Sequence, residues 1–439
     1  MGVKHIEQIK SFVLFLLVIL SLILTFSIWT YTPDYQPIKD SQVEPITVGQ
    51  QKELHEVLKP YRILAHDNGK LLGTIQSTQI DRIMNTLTDL SASNLIFMQS
   101  NLSEEEINSA IHTDNRMTLF FSYEVPMETF LSVLEFSQND LPETTFSHLI
   151  IDWSEFSQTN SIQFLFISEE NRTLYRTDVA LSKNNFENTF MEVVNYTEPY
   201  SEIERTNNFS LYVPTEKVEI PKFTYSINQV SPDKFKNILF KDSNIVQKNI
   251  ESNTSTKYTD GMAAMTSDAS TRTINFVYPA SESIGEMKPS VLFQNSFDFV
   301  NDHGGLTGDY RYVYSNVLKH VTEYQLFAHD LPVFSQVTST RIVTTWGDNQ
   351  IFQYKRPSFI LDTPFDISNQ QLPSGVEVAE ALPSIEDINE IVLGYYLSQE
   401  EKNYNFVYTL IPSWFTINKD GSWTRLTTET MGGAEYGLE

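Results

Sequence analysis

Hydrophobic positions are spread very unevenly along this chain. Between Lys10 and Asp34 lie 23 residues without a charge. The core of that run, residues 12–29 (FVLFLLVILSLILTFSIW), is almost wholly apolar. At about 1.5 Å per residue, some 18–20 residues match the roughly 30 Å hydrocarbon core of a bilayer, so the pattern predicts a transmembrane helix over residues 11–31. A cleaved secretory peptide has a shorter apolar core, about 7–15 residues, and a small-x-small cleavage site. Here the run leaves through Trp29, Thr30, Tyr31, Thr32 and Pro33 with no Ala-x-Ala pattern. Trp29, Tyr31 and Tyr35 fit an aromatic belt at the interface. Lys4 and Lys10 flank the short side, and on the long side Lys39 is the one basic residue before Lys52. This bias places the N-terminus in the cytoplasm and the body of the chain outside.

After a polar, proline-containing stretch over 32–50 that reads as a stalk, short strand and helix patterns alternate. Residues 62–75 predict a hairpin turning at Asp67-Asn68-Gly69. Ile80, Ile83, Met84, Leu87 and Leu90 space one face of a helix over 79–90. Segments 104–111 and 127–135 predict further short helices, and 149–153 and 162–167 predict strands. Two prolines bracket charged residues over 213–221 and mark a break. Beyond it, 223–227 reads as a strand. Ser231-Pro232-Asp233 opens a helix with a capping hydroxyl, a proline at the first helical position and an early acid. A strand over 273–278 follows. The last part is the most β-like: a hairpin over 340–354 around Trp346-Gly347-Asp348, a short helix over 375–382, long strands over 388–397 and 405–417, and a turn at Asp420-Gly421 into 422–426. Pro412, inside a strand run, points to an edge or a bulge. The predicted fold is α+β, a single N-terminal transmembrane helix followed by a multidomain extracytoplasmic region of antiparallel sheets with short helices. Its segments are a cytoplasmic tail (1–10), the helix (11–31), the stalk (32–50), an N-terminal α+β domain (51–213), a middle α+β domain (214–330) and a C-terminal β-rich domain (331–439). The tail from Thr427, with Gly432-Gly433 and an acidic end, reads as disordered.

Charge narrows the function. The formal net charge is −26; the first ten residues carry +1, leaving −27 for the remainder. Such a surface repels nucleic acid and anionic headgroups, so nucleic-acid partners are excluded and the exterior is not expected to lie flat on the membrane. The chain has no cysteine, which removes disulfides, thiolate zinc sites and thiol nucleophiles.

Catalytic signatures are absent: no Gly-x-Ser-x-Gly elbow, His-Glu-x-x-His, phosphate loop or dinucleotide fingerprint occurs. The eight histidines are scattered. Asp302-His303-Gly304-Gly305 is similar to an esterase oxyanion segment, but without a nucleophile it reads as a Gly-rich turn with a hydrogen-bonding His. The acidic clusters at 104–106, 386–387 and 400–401 read as helix starts or solvated loops. No catalytic, cofactor or metal residue is assigned, and the chain is expected not to be an enzyme. The candidate site lies in the apolar helix, where Leu14, Val18, Ser21, Thr25 and Ile28 form one stripe with Ser21 and Thr25 as a small-xxx-small pair. A helix–helix interface and hydroxyls bonded to their own backbone are both open readings of that pair.

Several fragments together resemble the YycH family. They are the Ile28-Trp29-Thr30-Tyr31-x-Pro33-x-Tyr35 exit of the anchor, Tyr258-Thr259-Asp260-Gly261, Phe299-Val300-Asn301-Asp302-His303-Gly304-Gly305, and Gly394-Tyr395-Tyr396 followed by Leu410-Ile411-Pro412-Ser413-Trp414. Leu306 departs from the pattern, which has an aromatic there. The resemblance implies a membrane-anchored, extracytoplasmic regulator of the cell-wall sensor histidine kinase (YycG, or WalK) of low-GC Gram-positive bacteria. It also implies a second single-pass partner of the YycI type, whose outer part shares the fold of the later domains, and an anchor helix packed against the kinase's own transmembrane helices. It carries no catalytic residues and leaves activation or inhibition open. The rival readings are an anchored cell-wall hydrolase and a wall-ligand receptor domain.

Overall fold

The computed structural model describes residues 3–30, 47–138, 140–206, 208–282, 285–402, 405–419 and 421–427. The stalk is thus largely outside the described residues, as is the tail beyond residue 427. The chain divides into two compact units, Met1–Pro45 and Ile46–Glu439.

In the first unit, Val3–Thr30 is one uninterrupted helix. Its described side chains are Lys10 and residues 12–26. No helix of the described residues is long and apolar enough to cross a membrane.

The second unit is built on two sheets. In the first, 11-stranded sheet, Arg116–Pro126, Thr145–Asp152, Ser161–Ser168 and Thr173–Ala180 run as antiparallel neighbours. The predicted hairpin forms as Arg62–Asp67 and Lys70–Thr74. Asn68 (φ 51°) and Gly69 (φ 71°) make its two-residue turn, the left-handed pair that such a hairpin requires. Helix Ser77–Thr88 buries Ile80, Ile83, Met84 and Leu87 against one face, where Phe130, Phe146 and Phe166 pack edge-to-face. Helix Glu104–His112 covers the other face with Ile107 and Ile111. Its start is fixed by a capping box in which Ser103 and Glu106 satisfy each other's backbone N–H, worth about 1 kcal/mol. The helix predicted over 127–135 is only a 3-10 turn, Thr129–Ser132, followed by a two-residue strand.

The second, 14-stranded sheet takes over after Pro214. Two antiparallel tracts meet at Leu331–Phe334, which pairs antiparallel with Val321–Ala328 and parallel with Ile388–Lys402. Val218–Ser226 pairs with Asn405–Asn418 and with Pro364–Leu372, and Thr273–Val277 pairs with Ile351–Pro357. A cut at residue 330 therefore passes through hydrogen-bonded neighbours, while a cut near 214 falls where the chain changes sheet. Pro412 sits at a local edge and not in a bulge: it faces Tyr395 in the long pair Ile388–Lys402 and Asn405–Asn418. On its other side, pairing with Val218–Ser226 ends at Leu410 and pairing with Trp423–Arg425 begins at Phe415. The missing N–H falls in that gap.

Helix Pro289–Asp302 packs Phe293 and Phe297 on this sheet, and the turn after it explains one quoted motif. Residues 48–52 lie against it: Val48 N donates to His303 O (2.9 Å), Lys52 N to Asn301 Oδ1 (2.7 Å), and Asn301 Nδ2 returns a bond to Lys52 O (2.9 Å). Gly304 has φ +62°, and a Cβ there would meet Gly49 O at 2.0 Å. Glycine is required both for the backbone sign and for the close approach.

Candidate functional site

The two sheets leave between them a cleft of about 870 Å³ lined from both sides. The opening begins with a register defect. Phe120 faces His148, but the next pair is Val125 with Phe146, so residues 121–124 bulge out opposite Ser147. The bulge carries Tyr123 to within 5.0 Å of the Tyr314 ring and lets Tyr312 OH donate to Glu124 O (2.9 Å). Another contact beside the cleft is a charged latch. Arg62, 3% exposed, donates through Nη2 to Glu390 Oε1 (3.0 Å) and through Nη1 to Glu390 Oε2 (3.3 Å) and Tyr212 O (2.7 Å). Tyr61 OH donates to Glu390 as well (2.8 Å), and the guanidinium lies 4.6 Å from the Phe120 ring centre. Arg205 reinforces the junction, bonding Ile385 O (3.0 Å) and Ile388 O.

Buried ionisable groups converge on this cleft. His148, in the centre of strand Thr145–Asp152, has a side chain 6% exposed. Burial, with Arg62 nearby, pushes its pKa down to about 3, so it is neutral at pH 7. Its Nδ1 lies 3.1 Å from Ser147 Oγ. Ser147 Oγ also accepts from Glu169 N (3.3 Å) and lies 3.5 Å from Ile167 O. Nε2 stands 3.5 Å from Glu169 Oε1. Burial, then the charges of Glu124 and Glu390, push Glu169 up to about 8. Glu124, itself 6% exposed, accepts from Thr145 Oγ1 (2.6 Å), Ser168 Oγ (2.9 Å) and Glu170 N (3.1 Å), yet burial still raises its pKa. Perturbed groups gathered in a cleft of this size mark a binding region.

The residues predicted as a site lie elsewhere. In the N-terminal helix Thr25 Oγ1 donates to Ser21 O (2.8 Å), a bond within its own helix, and Leu14 and Val18 are exposed in that unit, at 65% and 50%. The Ile28 side chain lies outside the described residues. His303 hydrogen-bonds the Tyr354 hydroxyl (3.2 Å) at a buried helix end, as a turn histidine would. Glu104–Glu106 form the first turn of their helix. Among the described residues no cluster of His, Asp and Glu could hold a metal ion. The other quoted fragments make packing joints: Asp260 Oδ1 accepts from Met262 N and Ala263 N, Gly394 leaves room for the Phe334 and Phe415 rings, Trp414 Nε1 donates to Pro373 O (3.0 Å), and Leu306 is buried in the core. Arg62, His148, Glu169 and Glu390 escaped sequence reasoning because they meet only in the fold. The visible trace was a lone histidine inside an apolar strand, TFSHLIID.

A body of two large sheets flanked by short helices, with a cleft between the sheets, puts the chain in the α+β class. The comparisons with known proteins place it. Residues 7–198 match the YycH protein N-terminal domain and residues 208–431 the YycH protein C-terminal domain: the chain belongs to the YycH family. It is 22% identical over 463 residues to the Bacillus subtilis (strain 168) protein named two-component system WalR/WalK regulatory protein YycH, with 99% of each chain covered. The crystal structure of YycH from Bacillus subtilis superposes with a TM-score of 0.73 at 19% identity, covering 87% of this chain and 99% of that one, which establishes the shared fold.

Proposed function

We propose that this chain is a membrane-anchored, non-enzymatic regulator of a WalK-type sensor histidine kinase in a two-component system, acting with a YycI-type protein. The observation that carries the reading is end-to-end similarity, over 99% of both chains, to a protein named as a WalR/WalK regulatory protein. The anchor is the N-terminal helix. Its 28 residues would extend about 42 Å, and the uncharged run 11–33 within it and beyond it supports spanning. The N-terminus is cytoplasmic and the body lies outside.

Regulation requires that the chain contact two kinase states unequally, because a partner binding both equally shifts nothing. The stripe Leu14, Val18, Ser21, Thr25, Ile28 is the proposed intramembrane contact. In lipid, the Thr25 hydroxyl can keep its own-helix bond while its small side chain admits a neighbouring helix. The test is co-purification from membranes of the full chain and of a variant whose residues 11–31 are replaced by poly-Leu. A histidine kinase is expected with the native chain and lost with the variant. Equal recovery would move the contact to the outer body, and no kinase with either would sink the reading.

A further inference from the structure

A strand whose outer N–H and C=O groups are unpaired is a template for another strand, and folded chains blunt such edges with charge, proline or a bulge. The second sheet follows that rule at both ends. Gln247–Ile250 closes one end and carries Lys248; Pro364–Leu372 closes the other, begins with proline and carries Asp366. The first sheet departs from it at Ile96–Ser100. Among the described residues this strand pairs with Thr173–Ala180 alone, so its outer edge meets no strand. It holds neither charge nor proline, and the whole stretch 90–102 (LSASNLIFMQSNL) is uncharged in a chain of net charge −26. Its irregularity is a register shift that leaves Met98 without a partner on the neighbouring strand. Ile96, Phe97 and Met98 are 46%, 53% and 46% exposed, consecutive apolar residues in solvent. The strand is nevertheless held from within: the Phe97 ring meets Tyr175 edge-on at 5.4 Å, and Gln99 Nε2 donates to Glu106 Oε1 (2.8 Å). It is a fixed, apolar, unprotected edge.

We propose that Ile96–Ser100 pairs antiparallel with the same strand of a second copy of this chain, across a two-fold axis that joins the first sheets of the two copies. Charge selects this occupant. In a self-paired strand every residue faces the strand's own sequence reversed, so a charge anywhere in it meets or neighbours its like, which is destabilising. A strand without charge avoids that cost, and Lys248 and Asp366 would incur it at the other two edges. A foreign partner of so acidic a chain would be drawn and oriented by basic residues, and this strand offers them no acid to read. The Glu106 carboxylate beside it is already taken by Gln99 and by Ser103 N. Five residues of edge bury far less than the roughly 800 Å² per partner of a stable interface, so the pairing is weak in dilute solution and forms at high local concentration. It does not depend on the regulatory reading.

The test is disulfide trapping, which catches weak contacts, on the full chain concentrated in detergent. The chain has no cysteine, so a single introduced cysteine reports only on its own copy. Cysteine replaces each of residues 95–100 in turn, with Ile367→Cys on the exposed edge of the second sheet as control, and each variant is oxidised mildly. A two-fold axis through an antiparallel pair sets one residue opposite itself, with Cα atoms about 4.5–5.5 Å apart, inside the span of a disulfide. A cysteine two residues off that centre lies four residues from its mate, about 13 Å away along the strand. The expected result is a linked dimer peaked at one position, at least tenfold above the positions two residues to either side and above Ile367→Cys. Adding Met98→Lys (Ile96→Lys where residue 98 is the peak) should lower the peak at least tenfold and leave the urea midpoint unchanged, since the side chain is half in solvent. No linked dimer at any position, equal yields along the strand and at Ile367→Cys, or a peak indifferent to the added lysine would overturn the proposal. The position dependence separates this contact from any association of the N-terminal helices, which would link copies without a peak in this strand.

Discussion

Arg356 and Arg62 are both buried, 0% and 3% exposed, and they are buried differently. Arg356 sits inside the second sheet's half. Nη1 donates to Gly305 O (2.6 Å) and Tyr354 OH (3.1 Å), Nη2 to Thr307 Oγ1 (3.0 Å), and Nε to Pro357 O (3.0 Å). The Phe235 ring lies 4.8 Å away. Every one of those acceptors is neutral and local, so the fork works as a fixed cross-link between strand and turn. Arg62 instead joins the two halves through a carboxylate, keeps Nε without a partner, and borders open space. A guanidinium in the first setting serves stability. In the second it shapes the field of a cleft, and its charge is balanced by a single carboxylate, Glu390.

The comparison breaks most severely at Arg356. Arg356→Met would remove four hydrogen bonds from the buried turn, to Gly305 O, Tyr354 OH, Thr307 Oγ1 and Pro357 O, and is expected to cost about 3 kcal/mol in urea unfolding of the full chain. Arg356→Lys should recover little, since one ammonium cannot span acceptors arranged for a fork. Full recovery by lysine would mean that charge, not the fork, holds the turn.

At the latch the expected cost is smaller and its sign depends on what remains. Glu390→Gln strands the Arg62 charge and should cost about 2 kcal/mol. The double variant Arg62→Met, Glu390→Met strands no charge and should cost less than Glu390→Gln alone. If the double variant costs the sum of its two singles, the latch is a pair of independent packing residues and its difference from Arg356 disappears.

The contrast also explains what could be read from the chain. The hairpin at Asn68-Gly69, the Ser231-Pro232 helix start and the apolar face of Ser77–Thr88 are written in contiguous residues, so turn chemistry and periodicity revealed them. The helix expected over 127–135 was not, because Phe130 and Val133 bury from a 3-10 turn as well as from an α-helix. For Pro412 the choice between edge and bulge could not be read, because it depends on where two other strands stop. The cleft was invisible for the same reason: Arg62, His148, Glu169 and Glu390 come from four strands or turns, brought together by a four-residue bulge that no local signal marks. The periodic stripe of the N-terminal helix is a contiguous pattern of the same kind, visible without any tertiary structure.

Glu169 gives the smallest effect and the finest test of the cleft. Its folded pKa is about 8, above the ordinary carboxyl value near 4.3. Between those two values the folded state holds a proton that the unfolded state has lost, so stability falls as pH rises through the window. His148 acts in the opposite sense: with a folded value of about 3 against an ordinary 6.5, it lowers stability as pH falls below 6.5. Native stability should therefore peak between the two arms. Glu169→Gln removes only the alkaline arm. Urea midpoints of native and variant should agree near pH 4.5 and separate by pH 8.5, with the variant more stable by on the order of 1 kcal/mol once water in the cleft has screened the charge. Equal midpoints at both pH values would mean that the Glu169 carboxylate ionises without cost. Its approach to the His148 imidazole would then be a contact of the fold like those of Arg356, and not a perturbed site of the cleft.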